Sequence, residues 1–427
     1  MSRRVAVKSV TVDRGEGVPR CVAREVAKIT TLSLHPNMPN LIAISSDNDN
    51  ARFESINLIV GDCSITLEEY VHILPDRMDL YNKCFKHLSQ ALSHTHQHGF
   101  SHGNLSPKGI YVRLPGADAC ETVFMIGDLS DSSGPLGYLA PEQLVFTSSD
   151  GLAADIWSLA CIMIYYIRQR PIVPPYLLAR TDVMAEICHH ANISHDEHAS
   201  SPFHAYASVS TVSADGMDSF RALLEENILT SRAITELKGS PRYVSVRGLS
   251  KKLPWSYICV EKILEANSSY HLFDATIPTL SRMLSFLPSQ RPSIEVVCRQ
   301  VGARPSLTGR KTLKSSVDPH VHLVLKEFVS ELCREVGIPE QTSEAARTLF
   351  LSVLPVKRST PTALACLLLA VKCSNIGSFG VSDICAYISD IDADVTGMKE
   401  KILEAESWLL LNHSDKMCSL AHCMSLL

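Results

Sequence analysis

Apolar and polar positions alternate through "RVAVKSV", residues 4 to 10, a β-branched run that predicts a strand carrying Lys8 toward its end. The period then changes. Val22, Val26, Ile29 and Leu32 recur at helical spacing, Pro19 suits a first turn, and "HPNMPN" stops the helix. The short runs "LIAI" and "INLIV" predict two further strands. From Asp79 to Gln97, the positions Leu80, Cys84, Phe85, Leu88, Ala91 and Leu92 keep the period of a long amphipathic helix. "DIWSLACIMIYYI" is apolar almost all round, the pattern of a helix at a domain centre. Residues 189 to 250 have weak periodicity and read as a surface insertion. A basic Ser/Thr/Gly-containing stretch, 304 to 318, reads as a linker. After it, five apolar-periodic segments (321–336, 343–354, 361–373, 381–389 and 395–411) predict a compact all-helical unit.

Composition narrows this modestly. The chain has 427 residues, 45% of them hydrophobic and 20% charged, enough for two or three ordinary globular domains. A formal net charge of -5 without a long basic run argues against nucleic acid as a partner. The opening "MSRRVAVKSV" lacks a signal-peptide core, and the longest apolar runs fall short of the roughly 20 residues that cross a bilayer. A cytoplasmic or nuclear protein, neither secreted nor in a membrane, is the expectation. The 14 cysteines contain no C-x-x-C pair, so free thiols are expected. His189, His190, His195, His198 and His204 fit no zinc spacing, and no metal site is expected.

The motifs carry more. "VAVK", an Arg-Glu pair closing "EGVPRCVARE", the loop "HGNLSPKG", "GDLS", "APE", "DIWSLACIM" and "SQRPSIEVV" follow one another in an order that resembles the protein kinases, and among them the cyclin-dependent kinases. The resemblance covers roughly residues 4 to 300 and implies roles. Lys8 takes the position of the phosphate-anchoring lysine and Glu25 that of its ion-pair partner. Asp128 takes that of the magnesium-holding aspartate, so Lys8, Glu25 and Asp128 form a possible residual nucleotide site. Glu142 and Arg291 match a buried structural pair, and Asp155 matches the brace of the catalytic loop.

Other positions depart from the pattern. Asn104 stands at the general-base position, and an amide cannot take up a proton near neutral pH. Ser106 replaces the loop lysine, Gly109 replaces the second metal-holding asparagine, and Gly103 replaces the loop arginine. Only a few residues precede the first strand and thirteen separate Asp128 from Glu142, so neither a Gly-rich loop nor a long activation segment is expected. The expectation is therefore a chain that is not an enzyme, a pseudokinase, with neither ATP nor magnesium expected as cofactor.

Residues 319 to 412 resemble a cyclin box. "TALACLLLAVKCS" matches its third helix, ending in Lys372, and Met398 to Leu403 with Trp408 match its fifth. The glutamate that the family places after the motif methionine is Lys399 here, so an altered docking surface is expected. A cyclin box grips the helix that "EGVPRCVARE" resembles, which makes Val18, Arg24, Glu25, Lys372 and Lys399 interface candidates. The linker of about fifteen residues spans about 50 Å when extended, marginally enough for docking within one chain.

The fold class expected is α+β: a bilobal kinase-like fold with a truncated N-lobe (1–62) and a C-lobe (63–303) containing the insertion, then the linker and an all-α five-helix cyclin-like domain (319–427). The function expected is an inactive scaffold or regulatory subunit with protein partners, its cyclin box docked in cis. The alternatives are a regulatory cyclin-like subunit acting on a separate kinase in trans, and an unorthodox ATP-binding protein or kinase.

Overall fold

The computed structural model describes residues 5–13, 16–47, 53–61, 63–73, 78–115, 121–130, 134–145, 151–180, 260–264, 273–303, 336–353, 359–374, 379–391 and 397–424, with Val183, Glu186, Ile187 and Leu332–Arg334. The expected insertion, linker, histidine-rich stretch and most of 321–336 lie outside them.

Three strands, β1 (Val5–Asp13), β2 (Leu41–Asp47) and β3 (Phe53–Gly61), form an antiparallel sheet in the order β1-β3-β2. Alternation sets the two faces: Val12, Ile44, Ile56, Leu58 and Val60 turn inward, whereas Val5 and Val7 stay exposed. Lys8 sits opposite Leu58 on the inner face. Helix α1 (Arg20–Leu32) follows β1. Pro19 stands just before its first turn rather than inside it, in extended conformation, and its carbonyl accepts the Ala23 N–H at 3.0 Å. Val22, Ala23, Val26, Ala27, Ile29 and Leu32 are all buried, more than one amphipathic stripe would bury, because α1 packs against both β2 and the C-terminal helices.

A second small sheet, β4 (Ile65–Thr66), β5 (Ile110–Arg113) and β6 (Val123–Ile126), lies beside the helices α2 (Leu67–Ile73) and α3 (Met78–Gln97). Helix α4 (Gly151–Arg168) is buried continuously from Ala154 to Ile167, which makes it a core helix of this unit. It packs on α5 (Ile277–Met283), while α6 (Ile294–Gln300) covers α3.

The C-terminal part consists of α7 (Glu340–Val353), α8 (Thr360–Cys373), α9 (Val381–Ile391) and α10 (Met398–Asn412), then a 3₁₀ segment (Ser414–Leu420) and α11 (Ala421–Met424). Four of these match predicted segments within a few residues. Helix α8 starts cleanly because the Ser359 hydroxyl accepts the Thr362 N–H and a proline occupies the first turn. It is buried from Thr362 to Val371 and forms the centre of the group. One apolar cluster runs without a break from Val12 through α1 and α8 to Met424, joining the C-terminal helices to the first sheet.

Candidate functional site

The expected nucleotide trio does come together. β1 brings the Lys8 ammonium over α1, where Nζ donates to both Glu25 oxygens at 3.1 and 2.9 Å and to Asp128 Oδ1 at 2.7 Å. Burial alone would lower the Lys8 pKa, but the two carboxylates outweigh it and hold the group charged, above its usual value. Burial pushes the Glu25 carboxyl up, with Lys8 pulling against it. For Asp128 burial also pushes up, yet Lys8 and the Ser130 hydroxyl more than offset it and the carboxyl stays below its ordinary range. Asp128 has a left-handed backbone, φ 52°, costly for a residue with a side chain and held here by those contacts.

The loop before β5 is built on Asp155. From α4, its carboxylate accepts the His102 N–H at 2.7 Å, the Gly103 N–H at 2.8 Å, and a bond with the His96 ring at 2.9 Å. Gly103 turns the chain at φ +75°, a conformation that suits glycine. His102 Nε2 contacts the Gly127 carbonyl at 2.9 Å, tying this loop to the one bearing Asp128, and burial lowers the His102 pKa. Asn104 then points its amide at the site: Nδ2 donates to Asp128 Oδ2 at 2.8 Å and to Ser130 Oγ at 3.2 Å. Ser106 is buried before the turn Pro107–Gly109, and Gly109 packs beside Asp128 with room for little more than a Cβ. The expected structural pair is present as a fork. Arg291 meets Glu142 at 2.6 and 2.7 Å, both side chains buried, and lies over the Trp157 ring.

The docking candidates divide. Lys372, on the last turn of α8, donates to Glu406 at 2.6 Å and to the Val18 carbonyl at 2.7 Å. Glu406 in turn accepts the Val18 N–H at 3.1 Å, so both backbone groups of Val18 are held. Glu406 is fully buried, and burial pushes its carboxyl up against the pull of Lys372. Gly17 makes this approach possible: at φ +71°, an added Cβ would overlap Glu406 and lie 2.7 Å from the Leu403 side chain. Arg20 donates to the last carbonyls of the α8 region, Lys372 and Ser374. Arg24 lies half-buried beside Glu25. Lys399 is exposed on the opening turn of α10. The acidic partner of Lys372 lies two turns beyond Lys399, at Glu406. Sequence reading also missed Arg20, Asn104's contact to Asp128, and Tyr111, whose ring occupies the space that a side chain at residue 127 would need.

The family described as protein kinase domain matches residues 1–301 of the chain. This chain belongs to the protein kinase domain family. Among curated proteins it is similar to Cyclin-dependent kinase-like 4 of Mus musculus, 26% identical over 193 residues, covering 42% of this chain and 55% of that protein. It is similar to Cyclin-dependent kinase 10 of Homo sapiens, 24% identical over 180 residues, covering 40% and 49%. Cyclin-dependent kinase F-4 of Oryza sativa subsp. japonica is 25% identical over 176 residues, covering 39% and 36%. The kinase chain thus spans about half the length, or less, of the curated relatives it matches.

That membership overturns the expectation that the chain is not an enzyme: a kinase domain over residues 1–301 with cyclin-dependent-kinase relatives points to a protein kinase. The expectation placed too much weight on the base. In phosphoryl transfer the transition state is loose and catalysis rests almost wholly on positioning and charge neutralisation.

A divalent cation is implied by the family, and the donor set can be tested for it. Such an ion needs oxygen ligands converging on one point. Here both Asp128 oxygens already accept from Lys8, Ser130 and Asn104, and both Glu25 oxygens accept from Lys8. Among the described residues no group of three or more His, Cys, Asp or Glu side chains could hold a metal. The residues present do not fit the ion.

Proposed function

We propose that this chain is a cyclin-dependent-kinase-like protein kinase that carries its regulatory unit in cis: the C-terminal helices act as a cyclin-like domain, gripping α1 so that Glu25 keeps Lys8 aimed at nucleotide phosphates. The observation that carries this reading is the clamp of Lys372 and Glu406 on both backbone groups of Val18, two turns before Glu25 on the same chain segment. Charge neutralisation falls to Lys8, and Asp155 fixes the loop that presents Asn104. In the transfer, the bond between the terminal phosphorus and its bridging oxygen breaks, a bond to a protein hydroxyl oxygen forms, and the diphosphate leaves. The hydroxyl proton passes to a phosphate oxygen or to water, because the Asn104 amide cannot hold it.

The reading in which these helices activate a separate kinase needs the Lys372 surface to be open. Gly17 to Arg20 cover it, which supports docking in cis. The test is transfer of labelled phosphate from ATP to a generic protein acceptor by the full chain, beside Lys8→Ala and Glu406→Gln. Labelling by the unmodified chain, lost in Lys8→Ala and reduced in Glu406→Gln, is expected. Labelling of equal extent in all three would contradict the proposal.

A further inference from the structure

We propose that this chain binds the polyphosphate of a nucleoside triphosphate without a divalent cation. The proposal rests on the nucleotide-site reading above and concerns how the phosphate charge is met. Around Asp128 the polarity is the reverse of a cation site: an ammonium, a hydroxyl and an amide N–H₂ converge on the carboxylate, at 2.7, 2.9 and 2.8 Å. A magnesium ion takes six oxygen ligands in near-octahedral geometry, so seating one at Asp128 would mean breaking these bonds, while the Asp155 carboxylate on the loop's other side is already taken up by the His102 and Gly103 N–H groups. The second oxygen ligand that an asparagine at 109 would supply is missing, because that residue is glycine packed against the Asp128 Cβ.

What the site offers phosphate is donors. Lys8 has three N–H groups on a rotatable stem and is about a third exposed, so it can turn from Asp128 toward an incoming anion while Glu25 keeps hold of it. Asn104 Nδ2, on the other side of Asp128, gives its two N–H groups to Asp128 and Ser130 and so meets that carboxylate's charge in place of a cation, leaving Lys8 to turn toward phosphate. Lys28, buried one turn after Glu25 on α1, adds positive field to the same corner, enough to act on both Glu25 and His102. An aspartate at 104 would turn this donor into a second negative charge facing Asp128, and only then would a cation be required.

The experiment is calorimetric titration of the full chain with ATP, once in EDTA and once in excess magnesium. Binding in EDTA within about threefold of that in magnesium is expected, with a loss of about tenfold or more in both conditions for Lys8→Ala. In Asn104→Asp, binding is expected to weaken about tenfold on going from magnesium to EDTA. Binding that occurs only with magnesium would overturn the cation-free proposal and leave the nucleotide site standing. Binding in neither condition would overturn both. An Asn104→Asp chain that folds and still shows no cation dependence would overturn the role given to Asn104.

Discussion

Two lysine–glutamate pairs sit at the two ends of one short stretch of chain, and they behave differently. Lys8–Glu25 spans 2.9 Å with the lysine side chain 35% exposed, while Lys372–Glu406 spans 2.6 Å with both partners nearly sealed. At the sealed pair every strong partner is internal, including both backbone groups of Val18. At the open pair the lysine is shared between two carboxylates and faces solvent. The first arrangement fixes a helix, and the second leaves a charged group able to turn toward a ligand. The same ion-pair chemistry is thus sealed just before α1 and open to solvent at the middle of α1, and burial marks the difference.

Substitutions that strike the sealed pair should cost most. Glu406→Gln leaves the Lys372 ammonium without a counter-charge, and breaking a buried pair this way typically costs about 3–5 kcal/mol. A urea melt of the full chain should show that loss. A change under about 1 kcal/mol would mean that the pair is better solvated than its burial indicates.

Gly17→Ala attacks the same contact through the backbone. A side chain at φ +71° that also overlaps Glu406 should destabilise by about 1–3 kcal/mol. Helix α1 should then become more sensitive to protease. Equal protease resistance would show that the clamp can shift to make room.

At the open pair the expected cost is smaller. Glu25→Gln leaves Lys8 still paired with Asp128 and partly in water, so stability should fall by only about 1 kcal/mol. ATP affinity should fall more clearly, since Lys8 is then drawn toward Asp128. A stability loss as large as that of Glu406→Gln would erase the contrast between the two pairs.

The pH dependence gives the smallest and most graded effect. Burial holds His35, His87 and His94 neutral, with pKa values lowered to about 4 from an ordinary 6.5. The unfolded chain therefore takes up more protons than the folded one below pH 6.5, and stability falls as pH drops from about 6.5 toward 4. Glu406 has the opposite sign: its carboxyl is raised, so acid does not penalise the clamp in the same way. Hydrogen exchange at pH 7 and pH 5 should show α3 losing protection before α8. The reverse order would contradict the assignment.

Much of this was legible in the sequence, for identifiable reasons. Lys8, Glu25, Asp128, Asp155, Glu142 and Arg291 lie in an ordered motif string, and the fold joins Lys8 to Glu25 and Asp128, Arg291 to Glu142, and Asp155 to the loop at His102 and Gly103. Helices α1, α3, α7, α8, α9 and α10 show the 3.6 period, and α4 shows itself by being apolar almost all round. Strands β4 to β6 are two to four residues long, too short for alternation to register. Glu406 escapes the family pattern, which puts its glutamate directly after the motif methionine. Its own signal was available: an acid among Ile402, Leu403, Leu409 and Leu410, on the side of the helix that is buried. The 3₁₀ segment lies beyond the five predicted segments, although Met417, Leu420 and Met424 keep an apolar stripe and all three are buried. What the motif string misjudged was chemistry rather than place. The residue at 104 was read as a missing base, whereas its amide forms part of the arrangement around Asp128.

The most direct test of the central claim, that the C-terminal clamp sets the Lys8 site through α1, is hydrogen exchange along residues 20–32 in the full chain and in Glu406→Gln, with and without ATP. Faster exchange throughout α1 in the variant, together with smaller protection by ATP, is the predicted result. Unchanged α1 exchange with undiminished protection by ATP would show that the Val18 clamp and the Glu25 site are independent, and the account would fail.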